Sequence, residues 1–452
     1  MITVCDRRHY MDDVEMLETK IQNMEKGKNV YETGNVVKVL DYMIEVRGLP
    51  NVSYFERVEV QDKGYGYVNK IMPNSVMVAM MKTEKEIHVG DIVTSTMQEY
   101  QAYYSKDAMG RITNLFGQDL LTGKYYEHMT PIPMEREAIP LMDRTKVERP
   151  LETGITGIDL IYPIGKGQRQ LIIGDKKTGK TQICLDTIVN QKEKKMICIY
   201  CTIGKTKKEV KNIYYELLQK GAMQYTVIVS AFNDDLPPVM TQTPYYALSI
   251  AQSYMEKGFD VLVCLDDLKR HAEAYREISL ISGKAPGRDA YPADIFYTHS
   301  RLLEKGCQYK NGASITILPV VETTSGDITD YISTNIISIT DGQIVLSSKN
   351  FQKGLKPAID YGLSVSRLGG QVQEQKMKVL GSSVRRRLLS YLETKDVYEL
   401  ANVDEMSEEL RNKMKNGQKI LDALTQYKYE PRNVEETIQK FEFLEGTNEQ
   451  HS

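Results

Sequence analysis

Short apolar runs, each ended by turn-forming residues, follow an initial charged stretch of the chain. They cover residues 36–40, 43–46, 57–60 and 75–80 and are rich in valine and methionine. Turn residues separate them at Gly48, Pro50-Asn51, Pro73-Asn74 and Gly90-Asp91. Strands of this length and spacing are typical of a small barrel. We therefore predict a β-barrel domain over residues 33–97.

The pattern changes further along the chain. From about residue 168 to 346, β-branched apolar runs alternate with segments that have helical periodicity, which is typical of a parallel sheet covered by helices. Residues 6–27 and those beyond 373 are polar, with apolar side chains at helical spacing. We predict a multidomain α/β protein. Its segments are an N-terminal helix and extension over 1–32, the barrel over 33–97, an α/β domain over 98–372 and a helical domain over 373–452.

Composition narrows the possible partners and the compartment. The chain has 452 residues and a formal net charge of −3, so electrostatics gives no argument for nucleic acid or an anionic membrane as a main partner. No apolar run approaches the roughly 20 residues of a membrane span, and the first residues lack an apolar signal region. Six scattered cysteines fit a reducing compartment. We expect a cytosolic protein that does not bind nucleic acid.

A complete G-x-x-x-x-G-K-T loop follows the apolar run at residues 170–173 and precedes a segment that can form a helix. Strand, glycine loop and helix are the context that this phosphate-binding motif requires. The glycines let the backbone approach closely, and its N–H groups point at phosphate oxygens. The lysine would reach the terminal phosphates of ATP, and the threonine hydroxyl would ligate Mg²⁺. The candidate ATP-binding residues are Gly174, Asp175, Lys176, Lys177, Thr178, Gly179, Lys180 and Thr181.

A second nucleotide-binding signature is the apolar run at 261–265 that ends in Asp266 and Asp267. Alone, such a run is a weak signal, because ordinary strands also end in acidic residues. Here it follows a complete phosphate loop with alternating strands and helices between them. We therefore predict that Asp266 holds Mg²⁺ directly or through water, beside Thr181.

Hydrolysis of ATP also requires a group that orients or deprotonates the attacking water. In hexameric P-loop ATPases a glutamate at the end of the strand after the loop helix does this. That strand, predicted over residues 196–203, is followed here by Gly204, Lys205 and Thr206. Lysine cannot act as a base at neutral pH unless its pKa falls by several units, and Glu209 lies further on. We expect the chain to bind ATP and to turn it over slowly or not at all.

A late arginine, Arg367, follows the last predicted strand of the sheet. A guanidinium there cannot easily reach the phosphates bound by its own chain. It could instead reach the γ-phosphate in a neighbouring subunit as an arginine finger. A surface ion pair is the ordinary alternative for a lone arginine.

The chain resembles the alpha subunits of F-type rotary ATP synthases over about residues 33–435. The similarity is carried by residues 163–169 leading into the phosphate loop, by the Pro-Gly-Arg-Asp-Ala-Tyr-Pro run at 286–292, and by residues 296–304, 322–343 and 362–367. Several long, separate matches in the same order make chance negligible. At Lys177 and Lys205 this chain departs from the resemblance, because the family usually has glutamine there.

The resemblance implies an N-terminal barrel, a RecA-like P-loop nucleotide domain and a shortened C-terminal helical domain. It implies a ring of three copies alternating with three catalytic beta subunits around a central stalk, with a stator or membrane complex at the inner face of the cell membrane. It further implies that this chain's site holds Mg-ATP without hydrolysing it and that Arg367 is the arginine finger of the neighbouring beta site. The residues implied near adenine are Lys356, Pro357, Gln426 and Lys428.

Four functional hypotheses remain open from the sequence. The first is a non-catalytic alpha-type subunit of a rotary ATPase or ATP synthase. The second is an alpha-like subunit of a diverged F-type-like ATPase that hydrolyses ATP to drive another membrane or surface assembly; the shortened C-terminus and altered N-terminus favour it. The third is a self-sufficient P-loop enzyme, which Lys205 disfavours. The fourth is a ring member whose site binds nothing.

Overall fold

A computed structural model of the chain describes residues 31–398 and 408–449. The helix predicted over residues 6–27 lies outside these ranges. The chain divides into two compact units, Met1–Tyr100 and Gln101–Ser452. Within the described ranges, no helix is both long and apolar enough to cross a membrane.

The first unit contains a closed six-stranded antiparallel barrel with the order β1-β2-β5-β4-β3-β6. Alternate residues along a strand point to opposite faces, so Val58 and Val60 on one strand are buried while Glu59 between them is exposed. The predicted barrel is confirmed. Its strands are β1 Thr33–Leu40, β2 Met43–Arg47, β3 Glu56–Val60, β4 Gly64–Ile71, β5 Val76–Thr83 and β6 Ile92–Glu99.

The second unit is built on a mostly parallel sheet with the order β20-β19-β13-β18-β16-β14-β15-β8. Strand β20 is antiparallel to β19, and short pairs form from β7 with β9, β11 with β12, and β17 with β10 and β18. The strands are β7 Gln101–Tyr104, β8 Ile112–Thr113, β9 Thr130–Pro133, β10 Arg144–Thr145, β11 Pro150–Leu151, β12 Ile164–Gly165, β13 Leu171–Asp175, β14 Met196–Lys205, β15 Thr226–Phe232, β16 Asp260–Asp266, β17 Cys307–Tyr309, β18 Ser314–Thr323, β19 Gly342–Leu346 and β20 Val365–Ser366.

Parallel neighbours require crossover connections, and helices supply most of them. The central strands are continuous apolar runs because both of their faces are covered; β16, for example, is fully buried from Val261 to Asp266. The predicted α/β class is confirmed. The helices are α1 Thr156–Ile161, α2 Lys180–Val189, α3 Lys207–Gln219, α4 Pro237–Glu256, α5 Leu268–Ile281, α6 Ile295–Leu303, α7 Tyr331–Ile339 and α8 Ser348–Gln352.

Toward the C-terminus the described residues form the helices α9 Gln375–Tyr398, α10 Glu408–Leu424 and α11 Val434–Glu449. Their buried side chains, including Leu388, Leu421 and Phe441, belong to the same hydrophobic core as α1 and the sheet. The helical segment therefore shares a core with the nucleotide-binding part of the chain. The segment between α10 and α11 returns to the loop that precedes α1.

Candidate nucleotide-binding site

The phosphate loop joins the C-terminal end of β13 to the N-terminus of α2, which is where parallel α/β sheets bind ligands. Gly179 caps the helix at φ 104°, and Lys177 also has a left-handed φ of 65°. A Cβ at Gly174 would lie 2.4 Å from the carbonyl oxygen of Leu346 on β19. Glycine is thus required at 174 for a close strand approach and at 179 for the backbone conformation.

Asp175 anchors the loop to neighbouring elements. Its carboxylate accepts hydrogen bonds from the Thr323 hydroxyl at 2.7 Å, the Gly326 N–H at 2.6 Å and the Ser348 hydroxyl at 2.5 Å. Burial opposes ionisation, but the hydrogen bonds from Ser348 and Thr323 hold the pKa of Asp175 below its usual value. The sequence predicted that Asp175 binds ATP. In the structure its carboxylate is hydrogen-bonded to three protein groups and fixes the conformation of the loop.

Lys180 lies buried within the loop. Its Nζ donates to the carbonyl oxygen of Asp175 at 2.6 Å and lies 4.0 Å from the Glu322 carboxylate. Burial lowers the pKa of Lys180, while the charges of Asp267, Glu322 and Asp266 oppose that shift. The ammonium is held by the loop itself, where a phosphate oxygen could replace the carbonyl as its acceptor.

Thr181 and Asp266, the predicted metal ligands, lie together at the foot of the loop. The Thr181 hydroxyl donates to Asp266 Oδ2 at 2.7 Å, and the Tyr200 hydroxyl donates to the same oxygen at 2.6 Å. The Asp266 side chain is 3% exposed, so its charge is almost entirely withdrawn from water. A hydroxyl and a carboxylate are oxygen donors that Mg²⁺ prefers. By donor type alone this pair would suit a Mg²⁺ ion bound with phosphate, but both groups also contact a cation of the chain, Lys205.

Lys205 closes the same cluster from the end of β14. Its Nζ lies 3.1 Å from Asp266 Oδ1 and 3.4 Å from the Thr181 hydroxyl oxygen. Burial opposes the charged form, but the carboxylate of Asp266 outweighs it and raises the pKa of Lys205. The side chain is thus a fixed cation. Glu209 cannot substitute as a base from its present position, because it forms a capping box with Thr206 at the start of α3.

Two cavities meet at the loop. A cleft of about 790 Å³ contains the phosphate-side residues Lys176, Lys177, Lys180, Thr181 and Asp266. A second cavity of about 440 Å³ shares Lys177 and Gly179 with the cleft. It is lined by the apolar side chains of Ile155, Ile183, Phe351 and Pro357 and by the predicted residues Lys356, Gln426 and Lys428. The structure therefore brings the predicted ATP-binding residues other than Gly174 and Asp175 to two adjoining cavities, one charged and one largely apolar.

Gln426 is fully bonded to protein groups. Its Oε1 accepts from the Thr156 N–H at 3.0 Å and the Thr156 hydroxyl at 3.1 Å, and its Nε2 donates to the carbonyl oxygens of Gly154 and Glu430, both at 2.6 Å. The amide ties the segment after α10 to the loop before α1. Gln426 therefore shapes the wall of the apolar cavity without offering a free amide.

Tyr427 is a cavity residue that the sequence reasoning missed. It lies between Gln426 and Lys428, its side chain is 61% exposed, and the Lys356 Nζ lies 5.8 Å from its ring centroid. The Lys428 Nζ lies instead 5.6 Å from the ring of Tyr429. An aromatic residue between two predicted contact residues was the signal that could have found it. Its exposed ring is free to stack on a planar base.

Arg367 lies at the opposite end of the sheet from the phosphate loop. It follows Ser366 on β20, which pairs with Gly342, the first residue of β19. The loop residue Gly174 pairs with Leu346, the last residue of β19. Arg367 is exposed. Its guanidinium donates to the Ile337 carbonyl oxygen at 3.4 Å.

The main chain at Arg367 is hydrogen-bonded to Asp341, whose side chain is itself fixed by an ion pair with Arg169. The Arg367 N–H donates to the carbonyl oxygen of Asp341 at 3.0 Å. The Asp341 carboxylate accepts from Arg169 Nη2 at 2.7 Å and from Arg169 Nε at 3.0 Å. A bidentate arginine–carboxylate pair is geometrically specific. The backbone is fixed while the guanidinium remains at the surface.

A fully buried histidine pair lies behind the site. His271, on the helix that begins after Asp267, donates from Nε2 to the Thr241 carbonyl oxygen at 3.2 Å, so its Nδ1 accepts from His299 Nε2 at 3.3 Å. Among the described residues, His299 Nδ1 has no hydrogen-bond partner. Burial lowers the pKa of His271 to about 4 and that of His299 well below its usual value. Both rings are neutral at physiological pH.

Acidification should destabilise the chain through this pair. The unfolded chain protonates each histidine below about pH 6.5 while the folded chain does not, so stability is complete above that pH and falls below it. At pH 5 each histidine should cost about 2 kcal/mol. Urea unfolding at pH 7.5 and 5.0 should show a smaller loss for His299→Leu than for the wild type. The exposed His128 supplies the control: His128→Leu should keep the wild-type loss, and an equal loss in His299→Leu would contradict the assignment.

The chain is similar to known proteins over most of its length. The ATP synthase alpha/beta family, nucleotide-binding domain, matches residues 154–366. The ATP synthase subunit alpha of Clostridium acetobutylicum is 38% identical over 426 residues, which cover 94% of this chain and 84% of that protein. The corresponding subunits of Pediococcus pentosaceus and Macrococcus caseolyticus are 40% and 39% identical over the same coverage.

Proposed function

Because the chain belongs to the family of ATP synthase alpha subunits, we propose that it binds ATP without hydrolysing it in an F-type rotary complex. The observation that carries this proposal is the position of Lys205. Its ammonium bonds to Asp266 and Thr181, at the end of the strand where hydrolysis would require a carboxylate. A cation paired with a buried carboxylate cannot accept a proton from water.

We further propose a role for the chain in a neighbour's chemistry. It alternates with a catalytic beta-type subunit in a 3:3 ring around a central stalk, at the cytoplasmic face of a membrane complex. Arg367 acts as the arginine finger of the adjacent beta site. This is supported by an exposed guanidinium on a fixed backbone and by its separation from the chain's own phosphate loop along β19.

Lys180→Ala should weaken ATP binding by the isolated chain by about 100-fold, since a charge-assisted hydrogen bond contributes about 1.5–3 kcal/mol. Isothermal titration with ATP measures this. Lys192 lies exposed beyond the other end of α2, so Lys192→Ala should bind ATP like the wild type. Equal affinities in Lys180→Ala and the wild type would refute binding at this loop. ATP turnover by the purified wild-type chain that disappears in Lys180→Ala would refute the non-hydrolytic role.

A further inference from the structure

Lys205 occupies the position where a phosphate-bound divalent cation would meet this chain. The two oxygen groups that fit Mg²⁺ are the Thr181 hydroxyl and the Asp266 carboxylate, and the Lys205 Nζ lies within 3.4 Å of both. The ammonium comes from the main body of the sheet, at the end of β14 beside β16, and not from an exposed loop. The backbone position is therefore fixed, and only a change of side-chain rotamer would take the ammonium out of the cluster.

The electrostatics of the cluster favour one cation over two. Asp266 is the only carboxylate bonded to Lys205 within the described residues, and its side chain is 3% exposed. A Mg²⁺ ion bound there would meet the ammonium at close range, where little water separates the charges. Moving the ammonium away would leave a buried ion pair broken, which is costly. The Lys205 ammonium and Mg²⁺ would thus compete for the Asp266 carboxylate.

The remaining charges suit a nucleotide that carries no metal. Lys176 and Lys177 are exposed on the outer side of the loop and line the cleft with Lys180. With Lys205 they place four ammonium groups at the loop end of the cleft. Glu322 opposes Lys180, Asp266 opposes Lys205, and Asp267 acts on both lysines. Other glutamates also line the cleft, including Glu273 and Glu277. Free ATP has more negative charge than its Mg²⁺ complex and gains more from such a cluster.

We infer that Lys205 takes the place of the divalent cation, so that this site binds ATP as the free nucleotide. This inference rests on the proposed function only in requiring that the site binds ATP. The charge that Mg²⁺ would bring to the phosphate oxygens is supplied by the Lys205 ammonium. Thr181 and Asp266 orient that ammonium.

Titration of the full chain with ATP, in excess EDTA and in excess MgCl₂, tests the inference. The wild-type chain should bind ATP about tenfold or more tightly in EDTA than in MgCl₂, because excess Mg²⁺ converts the free nucleotide into a complex that the site excludes. Lys205→Gln should lose about tenfold or more in affinity in EDTA and recover it in MgCl₂, because the glutamine leaves Asp266 available to the metal. Lys207, two residues further on, is exposed and pairs with Asp234, so Lys207→Gln should match the wild type in both buffers.

Direct measurement of metal binding distinguishes an effect of the Lys205 charge from an effect of the substitution on folding. Mn²⁺ monitored by electron paramagnetic resonance should not bind to the wild-type chain saturated with ATP, and it should bind to Lys205→Gln. Lys205→Arg keeps the charge and should bind ATP in EDTA like the wild type, which tests the inference even if the glutamine variant fails to fold. A wild-type affinity that is as high in MgCl₂ as in EDTA, or higher, overturns the inference. Absence of ATP binding in both buffers overturns the proposed function instead.

Discussion

Arg367→Ala should lower ATP hydrolysis by the complex reconstituted with its catalytic beta-type partner by about 10³-fold or more, the effect of removing an arginine finger. In the proposed role, the guanidinium would stabilise charge on the transferring phosphoryl group. Its loss should therefore appear in the maximal rate rather than in the affinity for ATP. The complex should still assemble, because the Arg367 side chain is exposed.

The geometry of the sheet separates Arg367 from the phosphate loop of its own chain. Along β19, the partner of Ser366, the residue before Arg367, and the partner of the loop residue Gly174 are four residues apart, or about 13 Å. Two strand spacings add about 10 Å across the sheet. The chain therefore presents Arg367 and its own phosphate loop at different ends of the sheet. A single subunit can hold ATP at one end and contribute to a neighbour's site at the other.

Arg386 provides a matched control for this prediction. It is an exposed arginine on α9, and Arg386→Ala should leave the hydrolysis rate of the complex unchanged. Arg367→Lys keeps the charge but loses the planar donor geometry, so it should recover only part of the rate. Wild-type hydrolysis by the Arg367→Ala complex would remove Arg367 from the catalytic site and leave it as a surface residue.

The sequence predicted those features that depend on local pattern. The barrel strands follow from short β-rich runs separated by turn residues, and the loop between β13 and α2 follows from glycine spacing and the flanking apolar run. The contact of Lys205 with Thr181 and Asp266 could not be predicted in the same way, because it depends on the order of β13, β16 and β14 in the sheet. The sequence identified Lys205 as the wrong residue for a base, whereas its role as a cation next to Asp266 required the fold.

The hydrogen bonds of Gln426 and of the histidine pair also could not be predicted from the sequence. Resemblance predicted Gln426 near adenine, and it does line the apolar cavity. Only the structure reveals that its amide is hydrogen-bonded to Gly154, Thr156 and Glu430. His271 and His299 are separated by 28 residues and meet through the packing of α5 and α6. Such long-range pairs leave no periodic signal in a single sequence.

Gly381→Ala should destabilise the second unit by about 3 kcal/mol, the upper part of the range for overpacked cores. Helix propensity alone predicts the reverse, a gain of about 1 kcal/mol, because Gly381 lies in the interior of α9. The structure reverses the sign. A Cβ at Gly381 would lie 2.2 Å from the carbonyl oxygen of Leu160 on α1. That oxygen belongs to the backbone, so it cannot move aside as a flexible side chain would.

Urea unfolding of the full chain measures this effect, and the adjacent Ser382 supplies the control. Ser382 is exposed, and its hydroxyl donates to the carbonyl oxygen of Lys378 within the same helix. Ser382→Ala should therefore be neutral or slightly stabilising, in line with propensity. If Gly381→Ala also proves stabilising, the contact between α9 and α1 is looser than the structure indicates. If it destabilises as expected, α9 approaches α1 this closely, and the contact depends on the absence of a side chain at 381.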